Sequence, residues 1–270
     1  MRHEQPIMLK IENVIEEARD IKTFVFRYAL GAKPGQFVNV WLPGVDEKPY
    51  SVSYQDRTGK FAITCFSVGD FSTKLNSLMT GEKVGIRGPY GKGFTLKRGH
   101  VAFVGGGCGT APLAFLANEL RKKGTEVDFI VGAKSAEYLL FVKRMRRAGV
   151  KVHIATDDGS AGHKGFTTDL LNRLLKKKPD IKMVYTCGPE IMMKKVIDIC
   201  DKHKRNCEVS IERYMKCGFG VCGQCCIDNS GIRVCKEGPV FNKRIIKGVF
   251  EFNKYKRDAS GKKMLLSACK

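Results

Sequence analysis

Short runs in which apolar residues alternate with polar ones fill the first part of the chain. Six of them stand out, at residues 7–11, 23–26, 37–42, 50–54, 61–64 and 84–86. Glycine or proline lies between several of these runs, and one helix-like stretch interrupts them at 71–79. Short strands at this spacing are typical of an antiparallel barrel. We therefore predict a β-barrel domain over residues 1–98.

From about residue 99 the pattern changes to buried strands that alternate with helices. Strands are predicted at 101–104, 127–131, 152–155 and 183–186. Each is followed by a predicted helix, at 111–123, 136–147, 167–177 and 190–203. Repeated βα units of this length predict an α/β domain with a parallel sheet covered on both faces, over residues 99–206. A small cysteine-bearing domain at 207–245 and a basic tail of unpredicted fold at 246–270 complete the chain.

Composition narrows the class of protein. The chain has 270 residues, 43% of them hydrophobic, which is enough for two or three compact domains. No apolar run approaches the ~18 residues of a membrane span, and the N-terminus lacks the apolar stretch of a signal peptide. The net charge of +21 suits a nucleic-acid partner, an anionic membrane surface or a host with lysine-rich proteins. Because the lysines are scattered and no nucleic-acid motif organises them, we expect a solvated surface on a cytoplasmic protein, with no membrane or nucleic-acid partner.

A glycine-rich loop carries Cys217, Cys222 and Cys225, and Cys235 follows it. This C-x4-C-x2-C…C spacing is that of plant-type [2Fe–2S] ligation. Buried apolar cysteines, structural zinc and disulfides are the alternatives, but no second C-x2-C or H-x3-5-H pair accompanies the loop. We predict these four as cluster ligands and Cys226 as a bystander. The other cysteines are predicted to be mostly small buried hydrophobes: Cys65, Cys108, Cys187, Cys200, Cys207 and Cys269.

Two glycine-containing strand ends predict nucleotide binding in the α/β domain. The loop Gly105-Gly106-Gly107-Cys108-Gly109-Thr110 lies between a strand and a helix, where backbone amides and the helix N-terminus can receive phosphates. A tight turn is the alternative, although a turn rarely requires three consecutive glycines. Cys187 and Gly188 end the last predicted strand, at the edge where α/β sheets bind ligands. Both a catalytic thiol and ordinary helix-start chemistry remain open there.

Two other motifs are less specific. Lys48-Pro49-Tyr50-Ser51 combines a cation, an aromatic ring and a hydroxyl, which suits a phosphate and a ring system but equally an ordinary strand start. Asp157 and Asp158 follow a strand and suit a ribose, a metal or a turn cap, of which the metal is the least favoured. The five histidines form no cluster, so hydrolase chemistry has no support in the sequence.

Taken in order, these motifs resemble the ferredoxin-NADP reductase superfamily. Lys48-Pro49-Tyr50-Ser51 is similar to the family's R-x-[YF]-S flavin motif, and Gly88-Pro89-Tyr90-Gly91, the glycine loop and Cys187-Gly188-Pro189 follow in the family's order. The loop from Met215 to Gly218 is similar to that of the electron-transfer subunits of NAD-dependent (class B) dihydroorotate dehydrogenases. The phrases at 157–160, 165–169 and 236–241 resemble that family too, so the likeness covers residues 5–245.

The resemblance implies three redox carriers. FAD would lie in the barrel, with Lys48, Tyr50 and Ser51 at its phosphate, ring and polar atoms. Ser67, Ser72 and Thr73 fall where the family's pyrophosphate-side segment lies. Lys48 stands where the family has arginine, and a point charge does not form the bidentate phosphate clamp of a guanidinium. NAD would lie on the glycine loop with Cys187 and Gly188 near the nicotinamide, while Lys134 and Ser135 leave NADP open.

The resemblance also implies a partner. Electrons would pass from an FMN-containing dihydroorotate dehydrogenase catalytic subunit to the [2Fe–2S] cluster, to FAD and to NAD+, within a heterotetramer of pyrimidine biosynthesis. The chain has no obvious dihydroorotate site, so we expect it to be inactive alone. The same module serving a hydrogenase, a sulfite reductase or a ferredoxin-NADP oxidoreductase is one alternative. A nucleic-acid-binding protein with a structural metal cluster is a more distant one.

Overall fold

The computed structural model describes residues 5–266, and its first part is a closed antiparallel barrel of six strands. The strand order around the barrel is β1-β2-β5-β4-β3-β6. The strands are β1 Ile7–Ala18, β2 Ile21–Arg27, β3 Phe37–Leu42, β4 Asp46–Gln55, β5 Lys60–Phe66 and β6 Lys83–Tyr90, and helix α1 spans Asp70–Ser77. Inward-facing residues such as Phe24, Phe26 and Ile63 are fully buried, because alternation along each strand sends them to one face. The predicted barrel and its single helix are confirmed.

The second part is a seven-stranded sheet in the order β10-β9-β8-β7-β11-β12-β13. Its strands are β7 His100–Gly106, β8 Glu126–Ala133, β9 Lys151–Thr156, β10 His163–Lys164, β11 Met183–Cys187, β12 Asn206–Ser210 and β13 Val240–Asn242. All neighbouring pairs are parallel except β12 with β13. The longer helices are α2 Thr110–Lys122, α4 Thr167–Lys177 and α5 Glu190–Lys202. The predicted parallel α/β architecture is confirmed.

The cysteine-bearing segment and the tail add short elements. Helix α6 spans Val234–Glu237, α7 spans Lys243–Lys247, and β14 Tyr255–Arg257 pairs with β15 Lys263–Leu265. Strand β13 joins the edge of the large sheet through β12. The predicted domain boundaries near 98, 206 and 245 remain predictions. No helix within residues 5–266 combines the length and apolar character needed to cross a bilayer.

One predicted helix is wrong. Residues 136–147 form a 3₁₀ turn at Ala136–Tyr138 and a separate short helix, α3, at Val142–Arg147. Between them Phe141 has a φ of +61°, in the left-handed region that L residues rarely adopt. Leu140 and Phe141 are both buried in the core beside the sheet. Consecutive residues of a helix point in different directions, so burying both side chains in one core requires an interruption of the helix. The pattern of apolar residues along the sequence does not predict that interruption.

A buried carboxylate joins the amino ends of the central strands. Asp128 is fully buried and lies 2.6 Å from His100 Nε2, 2.6 Å from His153 Nε2 and 2.8 Å from Lys178 Nζ. Burial acts to raise the pKa of Asp128, but its hydrogen bonds with His153, Lys178 and His100 outweigh it and hold that pKa below its ordinary value of 3.8. A carboxyl group whose pKa is lowered by folding contributes to the free energy of unfolding at pH values above its ordinary pKa. That contribution is lost as the pH falls towards the lowered pKa.

We predict that Asp128→Asn lowers the free energy of unfolding at pH 7 by about 3 kcal/mol, because it removes the buried charged acceptor that His100, His153 and Lys178 share. The difference from wild type should shrink as the pH falls below about 4. Denaturant titrations at several pH values measure both effects. Asp180→Asn is the control, since Asp180 also contacts His100, at 2.6 Å, but its side chain is 62% exposed. Equal losses in both variants would contradict the prediction.

Candidate functional site

The predicted nucleotide loop lies at the point where the strand order of the large sheet reverses. The carboxyl ends of β7 and β11 are neighbours there, with Gly105 paired in register with Cys187. A Cβ added to Gly109 would lie 2.4 Å from the Cys187 carbonyl, so only glycine allows this contact. Gly107 has a φ of +54° and nothing within 4 Å of its Cβ position, so its backbone is open to a ligand. In open α/β sheets ligands bind at this switch point.

The start of helix α2 carries a further sign of a polar ligand. Thr110 is fully buried, and its Oγ1 has no hydrogen-bond partner among the described residues. A buried hydroxyl without a partner is costly. The glycine loop and this hydroxyl therefore fit a bound nucleotide phosphate.

Two thiols flank this switch point and are kept neutral. Burial raises the pKa of Cys187, and the nearby Glu212 raises it further. Burial and Glu212 likewise raise the pKa of Cys108 to about 12. A neutral buried thiol is a poor nucleophile. The geometry thus favours packing over the catalytic-thiol interpretation of Cys187.

The motif at residues 48–51 lies on barrel strand β4. Lys48 forms an ion pair with Asp46 and lies 3.0 Å from the Tyr214 hydroxyl, with its ammonium 5.0 Å from the Tyr214 ring centre. The Tyr50 hydroxyl is 3.3 Å from Cys65 Sγ, and its ring stacks on Phe71 at 6.2 Å. Pro49 and Ser51 on the same strand are half-buried. The strand therefore offers a cation, a fixed ring and a hydroxyl that remain accessible to a ligand.

The second predicted flavin segment lies at the start of helix α1. Ser72 Oγ accepts hydrogen bonds from the amides of Val68 and Gly69, at 2.9 and 3.0 Å. Ser67 and Thr73 share a hydrogen bond of 2.8 Å between their hydroxyls. Ser72 is therefore engaged in forming the helix start, while Ser67 and Thr73 remain on the exposed side. The Ser72 hydroxyl also donates to the Gly69 carbonyl at 2.9 Å, which leaves the hydroxyls of Ser67 and Thr73 as the more accessible groups for a ligand phosphate.

The cysteine loop curls as its glycines predict. Gly218, Gly220 and Gly223 have φ values of +84°, +89° and +71°, which glycine adopts without strain. The amides of Val221 and Cys222 lie 3.4 and 3.5 Å from Cys217 Sγ. The amide of Cys235, at the start of helix α6, lies 3.4 Å from Cys225 Sγ. Backbone N–H groups thus point at the sulfurs, as they do around thiolates that bind a metal cluster.

The thiol pKa values agree with this arrangement. Burial acts to raise the pKa of Cys217, but the amides of Cys222, Val221 and Phe219 outweigh it and lower the pKa to about 6. Contact with the Cys235 thiol lowers the pKa of Cys225 to about 7. The same contact raises the pKa of Cys235. Two of the four sulfurs are therefore readily available as thiolates at neutral pH, the form that binds iron.

A compact group of potential metal ligands lies away from the cysteine loop, at the amino ends of the central strands. Among the described residues, His100, Glu126 and Asp128 have ligand atoms that all lie within 4.8 Å of one another. Lys178 already pairs with both carboxylates of this group. The group is therefore an ion-pair network rather than a metal site.

Three contacts that sequence reasoning missed join the cluster loop to its surroundings. Arg213 donates to Glu190, at 2.6 Å, and to Glu251, at 2.5 Å, with all three side chains buried. Glu190 is the first residue of helix α5, directly after Cys187-Gly188-Pro189, and Glu251 belongs to the tail. Tyr214 reaches Lys48. Glu190 and Glu251 are far from Arg213 in the sequence, so no local sequence pattern predicts that they pair with it.

The remaining predicted positions are simpler. Asp158 Oδ1 accepts from the amide and hydroxyl of Ser160, at 2.9 and 2.6 Å, so its carboxylate caps a turn. Lys134 is exposed and its carbonyl accepts from the Asp158 amide. Of the single cysteines, four are buried as predicted, Cys108 is half-buried, and Cys269 lies outside the described residues. Cys226 Sγ contacts the Gly231 carbonyl, and its role as a bystander stays a prediction.

Comparison with known proteins assigns all three parts of the chain. Residues 8–94 match the family model of the oxidoreductase FAD-binding domain, and residues 103–198 match that of the oxidoreductase NAD-binding domain. Residues 212–247 match the iron-sulfur cluster binding domain of dihydroorotate dehydrogenase B. The fold and these matches define an oxidoreductase component that binds FAD, NAD and an iron–sulfur cluster. The predicted fold class and cofactors are confirmed.

Relatives that align over nearly the whole chain show which family of oxidoreductase components this chain belongs to. A protein of Methanocaldococcus jannaschii is 46% identical over 97% of this chain and 99% of its own. One of Methanothermobacter thermautotrophicus is 45% identical over 96% and 97%. Both are named "Probable dihydroorotate dehydrogenase B (NAD(+)), electron transfer subunit". The chain belongs to this family of electron transfer subunits, which confirms the resemblance seen in the sequence.

Solved structures agree with the fold. A chain from the NADH-dependent reduced ferredoxin-NADP oxidoreductase superposes with a TM-score of 0.82 at 27% identity, covering 91% of this chain and 92% of that one. Phthalate dioxygenase reductase superposes with a TM-score of 0.60 at 23% identity, over 73% of this chain and 64% of that one. The second likeness concerns the fold alone.

We predict that Cys225→Ser removes the cluster's visible absorption and most of the bound iron, because the loop loses one of four thiolate ligands. Cys226→Ser is the matched control, since it alters the adjacent thiol, which is not among the predicted ligands. Iron and sulfide analysis of anaerobically purified protein measures the effect. Equal iron loss in both variants would count against the assigned ligand set.

We predict that Lys48→Ala weakens FAD binding about tenfold, or about 1.4 kcal/mol, because the phosphate loses a charge-assisted hydrogen bond. Lys60→Ala is the control, as Lys60 is a barrel lysine paired with Glu12, at 3.2 Å. Flavin fluorescence titration of deflavinated protein gives both affinities. Unchanged affinity in Lys48→Ala would place the FAD phosphate elsewhere.

Proposed function

We propose that this chain transfers electrons between an FMN-bearing dihydroorotate dehydrogenase catalytic subunit and NAD+. One observation carries the proposal: the segment that leads into the cysteine loop contacts elements of both proposed nucleotide sites. Tyr214 contacts Lys48 of the barrel, and Arg213 donates to Glu190, which follows Cys187 and Gly188 at the end of a sheet strand. An electron-transfer subunit needs its cluster segment beside both nucleotide sites. The names of the whole-chain relatives support the choice of reaction.

We assign each predicted residue a binding role. Lys48, Pro49, Tyr50, Ser51, Ser67, Ser72 and Thr73 would hold FAD; Gly105, Gly106, Gly107, Gly109, Thr110, Cys187 and Gly188 would hold the nicotinamide nucleotide; and Cys217, Cys222, Cys225 and Cys235 would hold the cluster. When bound, these groups supply hydride and single-electron chemistry, with the flavin linking the two. The protein's own residues bind and orient them.

Burial keeps the Tyr50 hydroxyl and the thiols of Cys65 and Cys187 uncharged. It raises the pKa of Tyr50, and Cys65 beside it adds to the effect. It also raises the pKa of Cys65, to about 11, and that of Cys187. These groups therefore neither donate nor accept protons near neutral pH. A protein that transfers electrons between bound carriers does not need acid–base catalysis from these groups.

A partner would approach the cluster from the exposed side of its loop. Val221 is 76% exposed and Cys222 next to it is exposed, whereas Cys225 and Cys235 face the interior. An exposed apolar residue beside a cluster ligand suits a protein contact. We propose an FMN-containing catalytic subunit there, in a heterotetramer. A cytoplasmic location fits the ten described cysteines, all of which are free.

A different partner is the second candidate. The structural likeness to a chain of the NADH-dependent reduced ferredoxin-NADP oxidoreductase extends over nine-tenths of both chains. The same module would then exchange electrons with a different flavoprotein subunit. NADP in place of NAD is open to this chain as well, because Lys134 is exposed and able to meet a 2′-phosphate.

We predict that the purified chain alone does not oxidise dihydroorotate, because its matched domains bind FAD, NAD and an iron–sulfur cluster and its relatives are named electron transfer subunits. Mixed with an FMN-containing dihydroorotate dehydrogenase subunit, it should couple dihydroorotate oxidation to NAD+ reduction. Absorbance at the NADH band measures this, with the Cys225→Ser variant as the control that breaks the path. A complex that forms but reduces NAD+ only with another electron donor would favour the second candidate.

A further inference from the structure

The guanidinium of Arg87 joins the barrel to the backbone of a predicted cluster ligand. Arg87 lies on strand β6 and is 8% exposed. Its Nη1 donates to the Cys217 carbonyl at 2.7 Å, and its Nη2 donates to the Lys216 carbonyl at 3.3 Å. These bonds span about 130 residues of sequence. They connect the barrel to the point where the cysteine loop begins.

A carboxylate from the flavin strand holds this guanidinium in place. Glu47, next to Lys48 on strand β4, accepts from Arg87 Nε at 2.6 Å and also from Nη2. Asn39 on β3 donates to the same carboxylate, at 3.3 Å, and to the Lys216 carbonyl, at 3.2 Å. A fork of this kind fixes direction as well as distance. The contact with the loop is therefore part of a rigid network.

Aromatic and glycine packing leaves the loop little freedom to move away. Tyr90 packs on Phe219 of the loop, with ring centres 6.1 Å apart. The guanidinium lies 5.7 Å from the Phe219 ring centre. A Cβ on Gly218 would come within 3.0 Å of the Tyr90 ring. The barrel therefore contacts the start of the cysteine loop, next to the predicted ligand Cys217, from several sides.

We propose that Arg87 is a positioning residue of the iron–sulfur centre, which fixes the Cys217 end of the loop and stabilises the reduced cluster with its charge. This inference rests on the proposed role of Cys217 as a ligand. A reduced cluster carries one more negative charge than an oxidised one, so a nearby buried cation favours reduction. Glu47 opposes that effect from the other side of the guanidinium.

The two residues therefore have opposite predicted effects on the cluster. Arg87→Gln removes the cation and leaves Glu47, so the reduced cluster becomes less favoured. Glu47→Gln removes the anion and retains a polar partner for Arg87, so the reduced cluster becomes more favoured. A change of about tenfold in the reduced-to-oxidised ratio corresponds to about 59 mV for a one-electron couple. A purely structural role predicts no such difference in sign.

The test is a redox titration of the holoprotein, followed by the electron paramagnetic resonance signal of the reduced cluster. We expect a lower midpoint potential in Arg87→Gln, a higher one in Glu47→Gln and a smaller decrease in Arg87→Lys, which keeps the charge but loses the fork. Arg27→Gln is the control, because Arg27 is another barrel arginine, on β2, that pairs with Glu12 on the neighbouring strand β1. Iron and FAD content are measured in each variant.

Each outcome bears on the inference. If Arg87→Gln loses iron but keeps FAD, the positioning role is supported, and Glu47→Gln and Arg87→Lys then test the charge. If Arg87→Gln loses both flavin and iron, the midpoint potentials of Glu47→Gln and Arg87→Lys test the inference in its place. Potentials equal to the control, or shifts of one sign in Arg87→Gln and Glu47→Gln, overturn the inference. A wild-type protein without a cluster would refute the proposed ligand set first and this inference with it.

Discussion

The organisation of this protein depends on a buried guanidinium that contacts two buried carboxylates. Arg213 bridges Glu190 and Glu251, and all three side chains are at most 3% exposed. Charges taken out of water in this way are stable only while paired, and loss of one partner costs about 3–5 kcal/mol. Glu190 opens the helix beside the nucleotide site, Arg213 precedes the cysteine loop, and Glu251 lies in the tail. The pairing therefore makes any separation of these three regions unfavourable.

The segment from 212 to 218 is consequently held from two sides. On the sheet side, Arg213 pairs with Glu190 and Glu251. Strand β13, which follows the cysteine loop in sequence, also returns to the sheet and pairs with β12. On the barrel side, Arg87 binds the loop backbone and Lys48 meets Tyr214. The barrel and the sheet domain both contact the segment 212–218. A movement of one nucleotide site relative to the other must therefore strain the cysteine loop. Fixed spacing between carriers is what an electron-transfer chain requires.

Local pattern predicted most of this fold, and long-range pairing explains the rest. The barrel strands and the βα units have periodicities that are set by neighbouring residues. The cysteine spacing has a meaning of its own, because one short loop must enclose one cluster. The break at Phe141 was missed because it results from burial against a distant core. The ion pairs of Arg213 and Arg87 were missed for a similar reason, since partners 23 to 130 residues away leave no local trace.

The lysine at position 48 shows how such distant contacts change the meaning of a motif. Compared with an arginine, its ammonium lacks the planar fork that clamps a phosphate. An ammonium has three donors, however, and those of Lys48 have two partners here, Asp46 and Tyr214. One donor direction is left for a ligand, and the other two fix where the cation lies. If FAD binds as proposed, the lysine reaches the flavin phosphate while still contacting the segment that leads to the cluster. Lysine in place of arginine then exchanges a second phosphate bond for a contact with the segment that leads into the cysteine loop.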